Sequence, residues 1–564
     1  MDTMDWKQRI WKLGLVGVFA VSSAVPALSY ASMGSLSPSG RPPGETITDM
    51  LARLGDSGLS DAAPDSPTGE PEAADMGDMA DMGDMGGEPM LMAAGWSGGG
   101  SGGYGGGGTS TSCAGSPATT AFQAALPIPP TLAPSSTDAT TDYYTITMKL
   151  GTAQIIPGLS TPIWGFNGIT PGPVIRAQKG RQVKVHMTNS LSENMSTHLH
   201  GGHTPSDNNN TLGSDGGPMA VFGPGTSRDY TYPNNQIAAT LWYHDHAMDL
   251  TAAHVYEGLA APYILTDSVD QGLGLPSGSY DIPLVIQDKT FNADGSLCYQ
   301  VDSSTIRQGF QGDTLLVNGA VQPYFKVAQR KYRFRVLNGS NSSRYELALS
   351  TGDPLVQIAS DGGLLQAPVS RTSALIAPAE REEFVIDFSK YPIGTQIVLN
   401  NKQSWGSKTT QIMRFDVTSA ATDTSKLPST LATIKKIDPN TATVKRTWTL
   451  DSNNGTWMLN NQPFDPNRID AQVKLGSTEV WTFQNRSGEY HPIHIHDMEW
   501  QIVSEDGGAV PAYDAGWKDV FLVKPWSSVQ VVTTFSDNLG TYVIHCHNLE
   551  HEDHSMMAQF QVVP

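Results

Sequence analysis

Phe166-Asn167-Gly168, Val317-Asn318-Gly319 and Leu459-Asn460-Asn461 open three copies of one pattern, and that pattern decides the fold. In the first copy Pro173-Val174-Ile175 follows, and then Gln182-Val183-Lys184-Val185-His186-Met187-Thr188-Asn189. In the second, Tyr324-Phe325 precedes Lys331-Tyr332-Arg333-Phe334-Arg335-Val336-Leu337-Asn338. In the third, Ile469 precedes Glu479-Val480-Trp481-Thr482-Phe483-Gln484-Asn485. Each copy ends in a strand of period two, with Tyr332, Phe334 and Val336 alternating with Arg333 and Arg335. A repeat of about 145 residues has the size of one β-sandwich, not of a solenoid unit. The sequence therefore predicts an all-β protein of three similar sandwiches in tandem, over residues 138–270, 280–420 and 440–564.

Composition agrees. The 564 residues are 39% hydrophobic and 16% charged, with 57 Gly and 37 Pro, a balance that favours short strands and turns. Three cysteines are too few for a disulfide scaffold, and the apolar content makes one unnecessary. The net charge of −20 argues against nucleic-acid binding. Half of that charge belongs to one segment: residues 32–137 hold 12 acidic and 2 basic residues.

That segment and the leader before it do not read as core. Lys7, Arg9 and Lys12 precede an apolar run from Leu13 to Ala27, and Ser29-Tyr30-Ala31 offers a cleavage site. Residues 1–31 are thus expected to be an export signal, leaving no membrane association after cleavage and a periplasmic or extracellular protein. Residues 32–137 carry an Asp-Met-small repeat from Asp75 to Met85, then a Gly tract and a Pro/Ala/Thr stretch, and are expected to be disordered. The thioethers of the repeat suit Cu(I), but a flexible linker in which Met has no partner is the favoured reading, since spacing in such a segment fixes no geometry.

The fourteen histidines fall unevenly. Seven lie at His186, His198, His200, His203, His244, His246 and His254; the others are His491, His494, His496, His545, His547, His551 and His554. None lies between His254 and His491, so the first and third domains carry the chemistry and the second spaces them. His-x-His on a strand puts two imidazoles on one face. In His545-Cys546-His547 the alternation sends the thiol one way and both imidazoles the other. Cys546, His491, His551 and an axial Met556 make a His₂Cys-thioether set of the blue-copper kind. The flanking imidazoles, with the other His-x-His segments, are expected to form a second metal group between the first and third domains. His186 reads as a surface residue, His203 and His254 as loop residues flanking the clusters, and His554 as a non-ligand.

The motifs His198-Leu199-His200-Gly201, His244-Asp245-His246, His491-Pro492-Ile493-His494-Ile495-His496 and His545-Cys546-His547 through His551 to Met556 resemble those of the multicopper oxidases. The string from His545 to Met557 is most similar to bilirubin oxidases and bacterial laccases. Leu241 to Met248, Lys331 to Asn338 and Ser360 to Leu365 resemble the spore-coat laccases, and Ala515-Gly516-Trp517-Lys518-Asp519 resembles the periplasmic cuprous oxidases. The resemblance spans residues 140–564. It implies Greek-key, cupredoxin-like domains and four copper ions. Type 1 copper would take His491, Cys546, His551 and Met556; type 2 would take His198 and His494. The type 3 pair would take His200, His244, His246, His496, His545 and His547. It also implies proton-relaying carboxylates, Glu552 and Asp215, with Asp207 as the alternative because Asn208-Asn209-Asn210 lengthens the loop before Asp215.

The expected activity is oxidation of a small reducing substrate, phenolic or tetrapyrrole, coupled to reduction of O₂ to water by a monomer. A metal-ion donor, Cu(I) or Mn(II), is the alternative, and a non-catalytic copper-binding protein is the alternative of another class. Cys113 and Cys298 either pair, tying the arm to the linker between the first two domains, or remain free thiols.

Overall fold

The repeated asparagines recur because each performs the same backbone task. In a computed structural model, which describes residues 113–207, 213–403 and 410–564, Asn167, Asn318 and Asn460 each follow a short strand with φ of 59°, 51° and 55°. Asn tolerates this left-handed conformation better than other side-chain-bearing residues. Each Asn Oδ1 accepts the backbone N–H of Thr147, Val285 or Thr449, at 2.9, 2.8 and 2.9 Å. Each Asn N–H returns a bond to the carbonyl of that same residue. The asparagines that close the pattern are equally matched. Asn189, Asn338 and Asn485 donate through Nδ2 to the carbonyls of Glu193, Ser343 and Glu489, each at 2.8 Å. Their Oδ1 atoms accept from Leu191, Ser340 and Ser487, two residues on.

Six sheets stack in three pairs. In the first domain Thr141–Ala153, Thr161–Phe166, Gln182–Asn189 and Ser227–Tyr232 face a sheet ordered Ile175–Gln178, Ala260–Thr266, Ala239–Asp245, Thr197–His200. The second domain packs a seven-stranded sheet, which includes Asp281–Lys289, Lys331–Asn338 and Arg381–Asp387, on a five-stranded one. In the third, one sheet includes Val444–Asn453, Thr478–Asn485 and Ser528–Thr534. The other runs Ala471–Lys474, Met557–Val563, Gly540–Cys546, His491–Ile495, Val520–Val523. Each pair encloses its own apolar core, centred on Val185 and Tyr263, on Phe334 and Phe415, and on Trp481 and Phe560.

Two details depart from the expectation. Arg333 and Arg335 are as buried as the aromatic residues they alternate with, because their face of the strand lies against charged partners. Arg333 pairs with Asp270 and Glu383, and Arg335 with Asp281 and Glu383. Residues 113–137 are not disordered. Leu126 is buried in the core of the second domain and donates to the carbonyl of Tyr324, Leu132 donates to Val174, and Cys113 is disulfide-bonded to Cys298. A Pro- and Ala-rich stretch without period-two alternation hides that several of its backbone donors are satisfied by neighbouring strands. Cys298 sits beyond the linker, in the loop after Asp281–Lys289, where Phe291 bridges Leu297. The leader, the Asp75–Met85 repeat and Asn208-Asn209-Asn210 lie outside the described residues. No described helix is long and apolar enough to cross a membrane.

Candidate metal centre

Strand register brings the histidines together. His494 lies opposite His545 and Ile493 opposite Cys546 where His491–Ile495 pairs with Gly540–Cys546. In the first domain His198 lies opposite His244 where Thr197–His200 pairs with Ala239–Asp245. The two strand pairs face each other, and their side chains, with His551, gather into groups of three whose ligand atoms lie within 4.8 Å of one another, His200 being shared by two of them.

One group is His491, Cys546 and His551. Both Nδ1 atoms lie 3.6 Å from Cys546 Sγ and 3.2 Å from each other. Their orientation is fixed from behind. His491 Nε2 donates to Ser487 Oγ at 2.8 Å, and that hydroxyl donates to Asn485, one of the repeat asparagines. His551 Nε2 donates to the carbonyl of Arg307 at 2.9 Å. Each imidazole is thereby held as the tautomer whose Nδ1 lone pair faces the sulfur. Met556 is fully buried in the same cluster, its carbonyl accepting from Cys546 N at 3.1 Å. Trp457 packs 4.2 Å from the His551 ring and shields the group.

The other histidines make three groups on the opposite side of Cys546. His198 and His494 meet Nε2 to Nε2 at 3.4 Å, next to His200. His246, His496 and His545 converge through Nε2 atoms 3.3 Å apart. His200, His244 and His547 form the last, in which His200 Nδ1, His244 Nε2 and both nitrogens of His547 are buried without a hydrogen-bond partner.

Such an arrangement fits metal ions. His198 Nδ1 donates to the carbonyl of Asp215 and His494 Nδ1 to that of Asp519, so the facing Nε2 atoms are both lone pairs. Two lone pairs at hydrogen-bond distance repel unless a cation lies between them. Burial, reinforced by neighbouring imidazoles, holds His198, His200, His494, His496 and His547 well below the usual histidine range and His244 down to about 3. These rings are therefore neutral, the ligating form. Burial also pushes the Cys546 thiol up, so that its ionisation requires a metal. Imidazoles with one thiolate and a thioether are a copper donor set.

Known proteins carry the same plan. Family profiles described as multicopper oxidase match residues 147–270 and 436–564. The laccase of Bacillus subtilis (strain 168) is 38% identical over 512 residues, covering 78% of this chain and 98% of its own length. This chain belongs to the multicopper oxidase family. The bilirubin oxidase of Albifimbria verrucaria is 36% identical over 471 residues, spanning 78% of this chain and 81% of its own. The crystal structure of a laccase from Pediococcus acidilactici Pa5930 superposes with a TM-score of 0.73 at 33% identity, covering 80% of this chain and 95% of that one. The oxidase is accordingly a copper-dependent oxidoreductase with O₂ as acceptor.

Two buried carboxylates in the oxidase touch the histidine groups. Asp215 Oδ2 accepts from His496 Nδ1 at 2.9 Å. Glu552 lies between two rings, Oε1 3.1 Å from His246 Nδ1 and Oε2 2.9 Å from His545 Nδ1. Their environments push them apart. Burial, with Asp207 and Asp497 nearby, raises Asp215 well above the usual carboxyl range. Burial would raise Glu552 too, but the imidazole groups of His545 and His246 hold it well below. Asp207 stands one step back: it pairs with Arg228 and accepts from Gly216 and Gly217, holding the Asp215 loop.

The remaining histidines behave differently from one another. His186 is exposed and bonds Asp229. His203, in its loop, lies between Glu499 and Asp537 of the third domain. His254 is not in a loop; it is buried in the helix Thr251–Glu257, bonded to Asp245. His554 ends the helix Leu549–Asp553 and bonds the carbonyl of Glu550. Sequence reasoning missed Asp519 as an orienting group, although it ends the Ala515–Asp519 stretch; its Oδ1 lies 3.1 Å from His200 Nε2. It also missed Arg381, Trp457 and Ser487, for which a single sequence carries no local signal.

Proposed function

We propose that the oxidase couples one-electron oxidation of a phenolic or tetrapyrrole donor to four-electron reduction of O₂ to water, using four copper ions. His491, Cys546, His551 and axial Met556 would hold type 1 copper, and His198 and His494 type 2. His200, His244, His246, His496, His545 and His547 would hold the type 3 pair. Bound copper would supply the one-electron redox chemistry at both ends. The observation that supports this reading is the alternation at His545-Cys546-His547, where one strand end presents its thiol to one group and its imidazoles to the other. Three covalently linked residues then bridge the two groups. Asp215 holds a proton on its carboxyl beside His496, while Glu552 stays ionised between His246 and His545, so that one can give a proton and the other take one. The laccase and bilirubin oxidase relatives support the donor class.

The test is to load the purified protein with copper, count the metal, and record the thiolate-to-Cu(II) band before measuring O₂ uptake with phenols, bilirubin, Cu(I) and Mn(II). Four coppers per chain, a blue band lost in Cys546→Ser, and uptake with phenols or bilirubin are expected. Full loading without the band overturns the type 1 assignment.

A second reading, a metal-ion donor, is favoured by the anchoring of Cys113. The residues after the Asp75–Met85 repeat end at the Cys113–Cys298 disulfide, beside Gln311, which also lines a cavity next to His491. Deleting residues 75–92 and losing only Cu(I) oxidation would support it. The leader and the disulfide both support a site of action outside the cytoplasm, in a periplasmic or extracellular monomer; cell fractionation and sedimentation test these points.

A further inference from the structure

A cavity of about 380 Å³ opens between the second and third domains, directly over the His491, Cys546 and His551 group. Tyr490 and Pro492 flank His491 in sequence and line its floor, together with Asn548, whose N–H lies 3.4 Å from Cys546 Sγ. Arg307, whose carbonyl receives the His551 N–H, is part of its wall. A donor seated here lies against residues that are sequence neighbours or hydrogen-bond partners of His491, Cys546 and His551.

The charge of this cavity is unexpected in a chain of net charge −20. Arg307 pairs with Glu489 at 3.4 Å across an exposed rim. Arg344, reaching in from the second domain, is half-buried with its guanidinium 3.4 Å over the Tyr490 ring, and among the described residues it has neither an ion-pair nor a hydrogen-bond partner. A guanidinium cannot shed its proton, so Arg344 brings a permanent charge, and the nearby carboxylate that acts on it, Glu489, is the one that also pairs with Arg307, so the two cations exceed it. Stacking on Tyr490 holds the planar group in place and leaves its N–H fork free. Gln308, Gln311 and Gln403 add only neutral donors and acceptors.

We propose that Arg344 binds an anionic group of the organic donor, a carboxylate or sulfonate, with the donor's oxidisable ring lying toward Pro492 and Asn548. A fork of parallel N–H groups matches a carboxylate in two places at once. The same charge disfavours Cu(I) and Mn(II), so the preferred donors are aromatic acids. Each phenol gives up one electron and one proton, and four such oxidations balance the reduction of one O₂ to two waters. This inference rests on the organic-donor reading above.

The experiment compares 4-hydroxy-3,5-dimethoxycinnamate with its methyl ester, which offers the same phenol without the charge, by O₂ uptake in the copper-loaded enzyme. The acid is expected to have a KM about tenfold below that of the ester. That preference should collapse toward unity in Arg344→Gln and survive in part in Arg344→Lys. Benzoate, which is not oxidised, should bind the wild type by calorimetry and not Arg344→Gln. Oxidation of the ester with no advantage for the acid, or an advantage unchanged in folded Arg344→Gln, overturns the role of Arg344 and leaves the organic-donor reading standing. Failure to oxidise either compound while Cu(I) is oxidised overturns both. Should Arg344→Gln not fold, added salt decides on the wild type: it should raise KM for the acid alone, and an equal effect on both compounds overturns the proposal.

Discussion

Arg381 grips Asp519 through both carboxylate oxygens, Nη1 to Oδ1 at 2.7 Å and Nη2 to Oδ2 at 2.5 Å. Oδ1 also lies 3.1 Å from His200 Nε2, and the Asp519 carbonyl accepts from His494 Nδ1. Arg381 belongs to the second domain, Asp519 to the third and His200 to the first, so the middle domain reaches the histidines without contributing one. All three side chains are buried.

Arg381→Met should therefore cost about 3–5 kcal/mol of unfolding free energy, because it strands a buried carboxylate. Adding Asp519→Asn should recover part of the loss, since the remaining amide is neutral. Urea unfolding of the two single variants and the double variant checks this. A single-variant cost within about 0.5 kcal/mol of zero would mean that the pair does not secure the domains.

Glu552→Gln should reduce turnover with O₂ by about a hundredfold or more, the scale of a lost acid–base group. The amide keeps the shape between His246 and His545 but has only one acceptor where the carboxylate has two. Copper content and the blue band should persist, which separates a proton-handling defect from a loading defect. Unchanged turnover at saturating donor would remove Glu552 from the relay.

Stability should depend on pH through His254. Burial alone would lower this group, but Asp245 at 2.6 Å and Glu193 at 3.3 Å raise it to about 9. Trp164 and Glu257 are its other neighbours. A raised folded value means the stabilisation is fully present below the unfolded value, near 6.5, and is lost as pH rises through about 9. The full effect is on the order of 3 kcal/mol. The difference in urea stability between wild type and His254→Gln should be largest in mildly acidic buffer and shrink on the alkaline side. A difference independent of pH would sink the idea.

The repeat made the fold legible because Asn167, Asn318 and Asn460 do local work, each binding the backbone of an adjacent strand. The histidine groups were legible for the same reason: a strand's alternation fixes which way His545, Cys546 and His547 face. Contacts made across domains outside the histidine motifs were not legible. Arg381 lies 138 residues from Asp519, and nothing in the Arg381 neighbourhood announces a partner. Residues 113–137 misled for a related reason. Their order comes from the strand edges they meet, and composition reports only what a segment brings itself.

The Cys113–Cys298 disulfide gives a prediction that separates the start of the described chain from the rest. Near Cys113, Ser116 binds Asp313 and accepts from Phe291, while Phe122 donates to the carbonyl of Gln322. With the Cys113 N–H bond to Gln300 and the Arg414 guanidinium over the Phe122 ring, these few contacts hold residues 113–122 once the crosslink is gone, since burial in the core begins at Leu126. Denatured, unreduced, metal-free protein should show a single titratable thiol, Cys546; three would mean the bond does not form. Cys298→Ser should lower stability by about 2–4 kcal/mol, because the crosslink restricts the unfolded chain over a long loop. It should also open a protease site between Cys113 and Phe122 in the native protein. Mass spectrometry of the cleaved fragments locates the cut. Equal resistance in wild type and variant would show that the Ser116 and Phe122 contacts suffice without the bond.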